Sequence, residues 1–225
     1  MTTPGIMDGA SVVADPDSSD RSDYWNSYYA TRGELTRPVP SQFAAFVAGE
    51  LAGPHRIVEL GLGSGRDAIF FASLGHDVVG VDASEAAIES SRQRAQAQGV
   101  PITLFASTID DPTLVDRLRT ASGPQLIYAR FFIHAINEEE EAALLSLVAD
   151  LASPGDRLAV EYRTVRDSSG PKVTGSHYRR FVNPTTFQAR TLARGFDVEY
   201  AVEGFGFAKY KEDDAYVARA IFVRR

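Results

Sequence analysis

From Arg56 onward, short apolar runs alternate with stretches of helical spacing, and this alternation leaves few folds open to the chain. The runs Ile57–Leu60, Asp77–Val81, Ile102–Phe105, Leu126–Ala129 and Leu158–Tyr162 read as buried strands. Between them lie the helical patterns Ala68–Leu74, Glu85–Gln98, Pro112–Thr120 and Asn137–Leu151. Ser84 is placed to cap the second of these, and Pro112 sits in a first turn, where its missing N–H costs nothing. The fourth has Leu144, Leu147, Val148 and Leu151 on one stripe and stops at Ser153-Pro154-Gly155. Strands alternating with helices at these intervals predict an α/β fold built on a parallel sheet. The end of the chain differs. Phe196–Val202 and Tyr216–Val223 are two strand patterns without an intervening helix, expected as an antiparallel pair at one sheet edge. No internal repeat interrupts this order.

The 225 residues suit one domain, and 44% apolar content supplies a sizeable core. Residues 1–21, rich in Ser, Asp, Pro and Gly, read as a mobile tail. Then comes SDYWNSYYATRGE, a short helix that Ser22 or Asp23 could cap, with Tyr24, Trp25, Tyr28 and Tyr29 close together. A second helix carries Phe43, Phe46, Val47 and Leu51 at helical spacing. The formal net charge of −7 argues against a nucleic-acid partner, which needs clustered Lys and Arg. No apolar stretch is long enough to span a membrane, so no membrane partner is expected. The absence of cysteine excludes disulfides, thiol nucleophiles and thiolate metal sites. With no signal-peptide pattern at the N-terminus, a cytoplasmic protein is the expectation. The four histidines show no metal-ligand spacing, and no metal is expected.

The stretch Val58–Ser84, VELGLGSGRDAIFFASLGHDVVGVDAS, carries the chemistry. A glycine-rich turn between a strand and a helix lets the backbone approach a ligand, and the helix N-terminus offers free N–H groups. The spacing is Gly61-x-Gly63-x-Gly65, and the third glycine of the dinucleotide pattern would fall on Arg66. A nicotinamide-binding domain is therefore disfavoured. Glu59, at the strand end beside the turn, suits a ligand with an ammonium group. Asp82, at the end of the second strand, can accept both ribose hydroxyls of an adenosine. The bland alternative is a tight turn followed by a helix-capping aspartate.

E-x-G-x-G-x-G followed by V-x-G-V-D-x-S resembles the class I, Rossmann-like S-adenosylmethionine-dependent methyltransferases. The GRD…FFASLGHDVVGVD segment is similar to their small-molecule branch, which includes thiopurine and tellurite methyltransferases. The resemblance runs from about Tyr24 to Arg225. It implies a three-layer fold with a seven-stranded, mostly parallel sheet, an antiparallel last strand and an N-terminal helical lid over about 22–52, in one domain spanning 22–225. It implies S-adenosylmethionine as cofactor and S-adenosylhomocysteine as product. Glu59, Gly61, Gly63 and Gly65 match the first motif, which holds the methionine part. Asp82 matches the ribose ligand, and Ala83 beside it would touch the adenine. Ser107, with Thr108, stands where the family often has an adenine-facing aspartate. Ala129, Arg130 and Phe131 match the segment that flanks the methionine and the transferring methyl. Tyr29 is the lid residue expected to cover the cofactor.

Methyl transfer from a sulfonium is an in-line displacement, so orientation and exclusion of water are the main demands on the protein. Tyr29, Arg130 and His134 are the candidates to act at the reacting methyl, His134 as a general base. Its alternative is a histidine packed in the loop. Glu138–Glu141 read as a solvated first helical turn that complements the helix dipole. Arg163 follows the fifth strand, and Lys172, His177, Tyr178, Arg179 and Arg180 form a local basic cluster. These six are candidates to bind an anionic acceptor, although the arginines could equally pair with nearby acids. A small polar acceptor methylated at oxygen is the first reading. Nitrogen or sulfur acceptors, and a non-catalytic cofactor-binding module, are the alternatives. Ala129-Arg130-Phe131-Phe132 stands where enzymes that methylate base amino groups carry D/N-P-P-Y/F, which argues against nucleic-acid bases. Nothing in the sequence opposes a homo-oligomer.

Overall fold

The structure is a computed structural model, and it describes residues 18–30, 39–119, 123–167, 180–210 and 212–225. The strands are β1 (Arg56–Leu60), β2 (Asp77–Asp82), β3 (Thr103–Ala106), β4 (Gln125–Arg130), β5 (Arg157–Arg163), β6 (Phe196–Gly204), β7 (Lys209–Tyr210), β8 (Asp213–Asp214) and β9 (Val217–Arg224). The helices are α1 (Ser18–Ala30), α2 (Gln42–Gly49), α3 (Arg66–Ser73), α4 (Glu85–Gln98), α5 (Leu114–Leu118), α6 (Glu138–Leu151) and α7 (Pro184–Leu192). Seven strands form one sheet in the order β3-β2-β1-β4-β5-β9-β6. β1 to β5 pair in parallel, and β9 runs antiparallel to both β5 and β6. The terminal strand pair thus stands at the sheet edge, as its patterning requires. β7 and β8 form a small separate hairpin between β6 and β9.

Each side of the sheet is covered by helices, as near-continuous apolar strands demand. On one face Ile57, Val78, Leu126, Tyr128, Ala159 and Ile221 pack against Phe43 and Val47 of α2, Ala68 and Phe71 of α3, and Ile88 of α4. On the other, Val58, Val79, Ile127, Val160 and Phe222 pack against α5, α6 and α7 through Leu118, Leu144, Val148 and Phe187.

α5 starts at Leu114 with Thr113 at its N-cap, so Pro112 precedes the helix instead of sitting in its first turn, and β3, at the sheet edge, has no buried residue. Two further elements depart from the sequence reading. α1 is already under way at Ser18, inside the segment read as a tail, so neither Ser22 nor Asp23 caps it. α7 lies in a stretch where no helix was expected. Its start is well signalled: Asn183 accepts from Thr185 N (3.0 Å) and Thr186 N (3.3 Å), and Pro184 occupies the first turn. Its buried face is short, however: Pro184, Phe187 and Thr191, too few apolar positions to show a period.

A buried polar knot ties the helices of the first face to the sheet. Asp67 of α3 accepts from Ser41 N (2.8 Å), Ser41 Oγ (2.7 Å) and Tyr128 Oη (2.9 Å). Ser41 Oγ in turn caps α2 by accepting from Ala44 N (2.9 Å). Burial, reinforced by the Asp67 charge, pushes the Tyr128 phenol well above its ordinary value, so it stays a donor. Asp67→Ala strands three buried donors and should cost about 2 kcal/mol. Urea unfolding measures this, and a loss within about 0.5 kcal/mol would mean that the knot contributes nothing.

Candidate active site

Strand order reverses at β1, because β2 and β3 run out to one side and β4 and β5 to the other. In open α/β sheets ligands bind beyond the carboxyl ends of the strands at such a point. The Gly61–Gly65 turn after β1 and the Phe131–Ile136 loop after β4 face each other there. The turn is hung on the next strand by Gly61 N and Leu62 N, which donate to Val81 O at 2.9 and 3.1 Å. Gly61 (φ +72°) and Gly63 (φ +56°) take the left-handed conformation, and neither has room for a side chain. A Cβ on Gly61 would strike the Phe132 ring, and one on Gly63 would strike Tyr29 Oη. The turn therefore presents bare backbone to the crevice, with one aromatic side chain over each glycine. Gly65, at the end of the turn, lies against Ser91, whose hydroxyl donates to Gly63 O (3.1 Å).

Two carboxylates flank the turn. Glu59 is buried, and its Oε2 has no hydrogen-bond partner. Burial first, then the Asp67 charge, hold its pKa well above the usual carboxylate range. Asp82 bridges the turn to α4: Oδ2 accepts from Gly63 N (2.8 Å) and Oδ1 from Ser84 N (2.9 Å). Burial raises its pKa, and the two backbone donors oppose that rise. Each carboxylate oxygen still has a lone pair to offer. Ala83 beside it is exposed. After β3, Ser107 N donates to Asp82 O (3.0 Å), while its hydroxyl donates to Asp111 (2.7 Å) and is spent there. That bond and two from Thr113 hold Asp111 down to about 2. Thr108 is exposed at the same rim.

α1 crosses the mouth of the crevice. Arg21 pairs with Glu140 at the start of α6 (2.8 Å), Asn26 accepts from the Oγ of Ser84 at the start of α4 (2.7 Å), and Tyr29 reaches Gly63. The aromatic cluster is real: Trp25 stacks on Tyr29 with ring centroids 5.9 Å apart, and Tyr24 on Tyr28 at 6.1 Å.

Several expected site residues have other work in the structure. His134 Nδ1 accepts from Arg163 N (3.3 Å), so the neutral ring carries its proton on Nε2 and has no lone pair there to act as a base. Its ring packs edge-on against Phe131, which is the loop-packing role. Both η nitrogens of Arg163 are taken, by Asp167 (2.6 Å) and Asp213 (2.5 Å). Arg180 is bound to Glu141 and to the carbonyls of Ile136 (3.2 Å) and Ile133 (3.4 Å). Glu141 also holds Arg190 (2.7 Å), so this last of the four glutamates is buried rather than solvated. The side chain of Ala129 points into the core on the opposite face of the sheet. Ser41 is buried in the Asp67 knot. Lys172, His177, Tyr178 and Arg179 lie outside the described residues. Among the described residues no group of three or more acids or histidines is placed to hold a metal.

Glu161 and Arg219 escaped the sequence reading. Arg130, Glu161 and Arg219 are direct cross-strand neighbours on β4, β5 and β9. Arg130 Nε donates to Glu161 Oε1 (2.8 Å), and Arg219 Nε to Glu161 Oε2 (2.6 Å). Their signal in the sequence is a lone charge inside each of two apolar runs, LAVEY and VARAIFV, with opposite signs.

Fold and site together define a class, and the comparisons agree with it. Residues 57–155 match the family model of a methyltransferase domain, and the seven-stranded sheet with its antiparallel last strand is the α/β methyltransferase fold. No curated protein sequence matches the chain. Among solved structures it resembles an S-adenosylmethionine-dependent methyltransferase from Anabaena variabilis ATCC 29413 (TM-score 0.71, 18% identity, 94% of this chain and 96% of that one). It also resembles magnesium protoporphyrin IX methyltransferase from Synechocystis PCC 6803 with bound S-adenosylmethionine (0.66, 20%, 95% and 99%). A third is a TehB-like methyltransferase from Corynebacterium glutamicum ATCC 13032 Kitasato (0.61, 14%, 92% and 97%). At these identities the likeness is one of fold. Among the described residues no helix is long and apolar enough to cross a membrane.

Proposed function

We propose that this chain transfers the methyl group of S-adenosylmethionine to an oxygen of a small polar acceptor that carries a negative charge. The observation that carries the cofactor site is Glu59: a buried carboxylate oxygen without a partner, beside a glycine turn, fits the cofactor's ammonium group. In this reading Gly61 and Gly63 offer bare backbone to the methionine part, and Asp82 takes the ribose. Ala83, Ser107 and Thr108 border the adenine, the Ala129–Phe131 segment flanks the methyl, and Tyr29 covers it from α1. The bound cofactor supplies the electrophilic methyl carbon, while the protein aligns the acceptor and excludes water. His134, with Nδ1 engaged, is a positioning residue here, holding the backbone at Arg163. An oxygen that is already ionised, a carboxylate or an acidic hydroxyl, needs no base and suits that arrangement. Transfer of labelled methyl to a panel of carboxylates, phenols and neutral alcohols tests the acceptor class. Transfer to amines or thiols alone would overturn the oxygen reading.

Glu59 also makes the cofactor's arrival visible as a proton. Between the ordinary carboxylate range and its raised pKa, folded protein holds a proton on Glu59 that unfolded protein has lost. Stability therefore falls as pH rises through that window. An ammonium group placed beside Glu59 favours its ionised form and expels the proton. S-adenosylmethionine binding measured by calorimetry in buffers of different ionisation enthalpy should show proton release at mildly acidic pH. Glu59→Gln should show none. Equal release from both proteins would remove Glu59 from the site.

A further inference from the structure

Among the arginines expected at the carboxyl ends of the strands, Arg130 alone keeps its fork open. Its Nε is fixed by Glu161. Neither η nitrogen has a hydrogen-bond partner among the described residues, and neither is sealed from solvent. The side chain is 18% exposed, so these donors open outward at the end of β4. The backing is rigid. Glu161 is fully buried and shared with Arg219, whose Nη2 donates to Phe207 O (2.6 Å) and whose guanidinium lies over the Phe207 ring (4.9 Å). Two cations thus share one carboxylate, and the nearby Asp67 is already engaged by Ser41, Tyr128 and Arg66.

The residue after Arg130 adds a wall. Phe131 has φ +56°, a strained, left-handed conformation that a bulky residue rarely adopts. It is held by its N–H donating to Glu161 O (2.8 Å). This turn lays the Phe131 ring 4.3 Å beneath the Arg130 guanidinium and packs it with Phe207, Ala208, Ala215 and Val217. Strain at a crevice, maintained by the surroundings, points to a use for the ring's position.

We infer that Arg130 is the acceptor's anchor: its two open η nitrogens take a pair of oxygens from a carboxylate or phosphate, against the apolar wall of Phe131. This rests on the methyltransferase reading above. A planar fork with both η groups presented suits bidentate recognition of an oxyanion. Its Nε is held by Glu161 of β5, on the far side of β4 from the glycine turn that follows β1, and this position assigns the fork to the acceptor rather than to the methionine.

The test uses protein loaded with S-adenosylhomocysteine and two probes of one shape, benzoate and neutral benzamide, titrated by calorimetry. Wild type should bind benzoate at least about tenfold more tightly than benzamide, equivalent to about 1.4 kcal/mol. Arg130→Gln should abolish that preference, and Arg130→Lys, which keeps the charge and loses the fork, should retain only part of it. Thermal melting checks that each variant folds, and the lysine variant carries the test if the glutamine variant does not. S-adenosylhomocysteine and 5′-methylthioadenosine, which lacks the methionine carboxylate, are titrated in parallel, and both should bind Arg130→Gln as they bind wild type. A loss confined to S-adenosylhomocysteine would give Arg130 to the cofactor's carboxylate and overturn the anchor. Absence of benzoate binding, or of its preference over benzamide, in protein that binds S-adenosylhomocysteine would overturn it too. Wild type that binds no S-adenosylhomocysteine would bring down the methyltransferase reading and the anchor with it.

Discussion

Glu161→Ala should destabilise the protein by about 3–5 kcal/mol, because removing one member of a buried ionic set leaves uncompensated charge. Glu161 is fully buried, and both its oxygens are occupied, one by Arg130 and one by Arg219. The side chain of Arg219 is only 7% exposed, so water cannot take over the role of the carboxylate. Without Glu161 two guanidiniums flank an uncharged position on β5, with no carboxylate between them. For a domain of this size the loss corresponds to a fall in Tm of about 10 °C. Urea unfolding should show a lower midpoint with an unchanged slope, which separates lost stability from a changed denatured state. Glu161→Gln should fall between, since one amide oxygen can serve one arginine. A loss below about 1 kcal/mol for the alanine variant would mean that the row is solvated and does not behave as a buried triad.

Asp82→Ala should weaken binding of S-adenosylmethionine and S-adenosylhomocysteine at least tenfold, about 1.4 kcal/mol. Two effects combine. The variant removes the carboxylate proposed to take the ribose, and it frees Gly63 N and Ser84 N, which Asp82 holds at 2.8 and 2.9 Å. Asp82 is thus the clasp that sets the glycine turn against α4 and, in the proposed site, also the ribose ligand. Asp82→Asn separates the roles: its amide oxygen can keep one backbone donor but cannot accept from two hydroxyls and two N–H groups together. Calorimetry on wild type and both variants, with NAD as a control, measures the effect. Unchanged affinity for the two sulfur compounds, or binding of NAD in their place, would remove the cofactor assignment at this turn.

Much of the fold was legible because its determinants are local. Ser84 caps α4 by accepting from Ala87 N (3.1 Å), and α4 spans Glu85–Gln98, the range its pattern predicts. Asn137 and Glu140 close a capping box at the start of α6, and a stripe of leucines and Val148 carries that helix to Leu151. Four of the parallel strands, β1, β2, β4 and β5, are apolar runs buried as their hydropathy requires, whereas β3 at the sheet edge is not. α7 was missed because its buried face holds too few apolar residues to set a period, although its cap and proline were in plain view.

The candidate site divides differently. The glycine spacing, Glu59, Asp82 and the aromatic cluster of α1 are a sequence signature, since bare backbone and a carboxylate at a strand end are set within a few residues. Which cations are free is a different kind of fact. Arg130, Arg163 and Arg180 are alike in sequence, each an arginine at or beyond the end of a buried strand. The fold places Asp167 and Asp213 on Arg163, Glu141 on Arg180, and on Arg130 a glutamate that it must share with Arg219. Asp213 and Arg219 are both about 50 or more positions from their partners, brought in by the β7–β8 excursion and the antiparallel β9. The sequence by itself determined the α/β frame, the glycine turn and its two carboxylates, because hydropathy, caps and turns act between near neighbours. Only the tertiary structure decided which arginines are neutralised and which stays open, because charge pairing acts through space between strands that the chain order keeps apart.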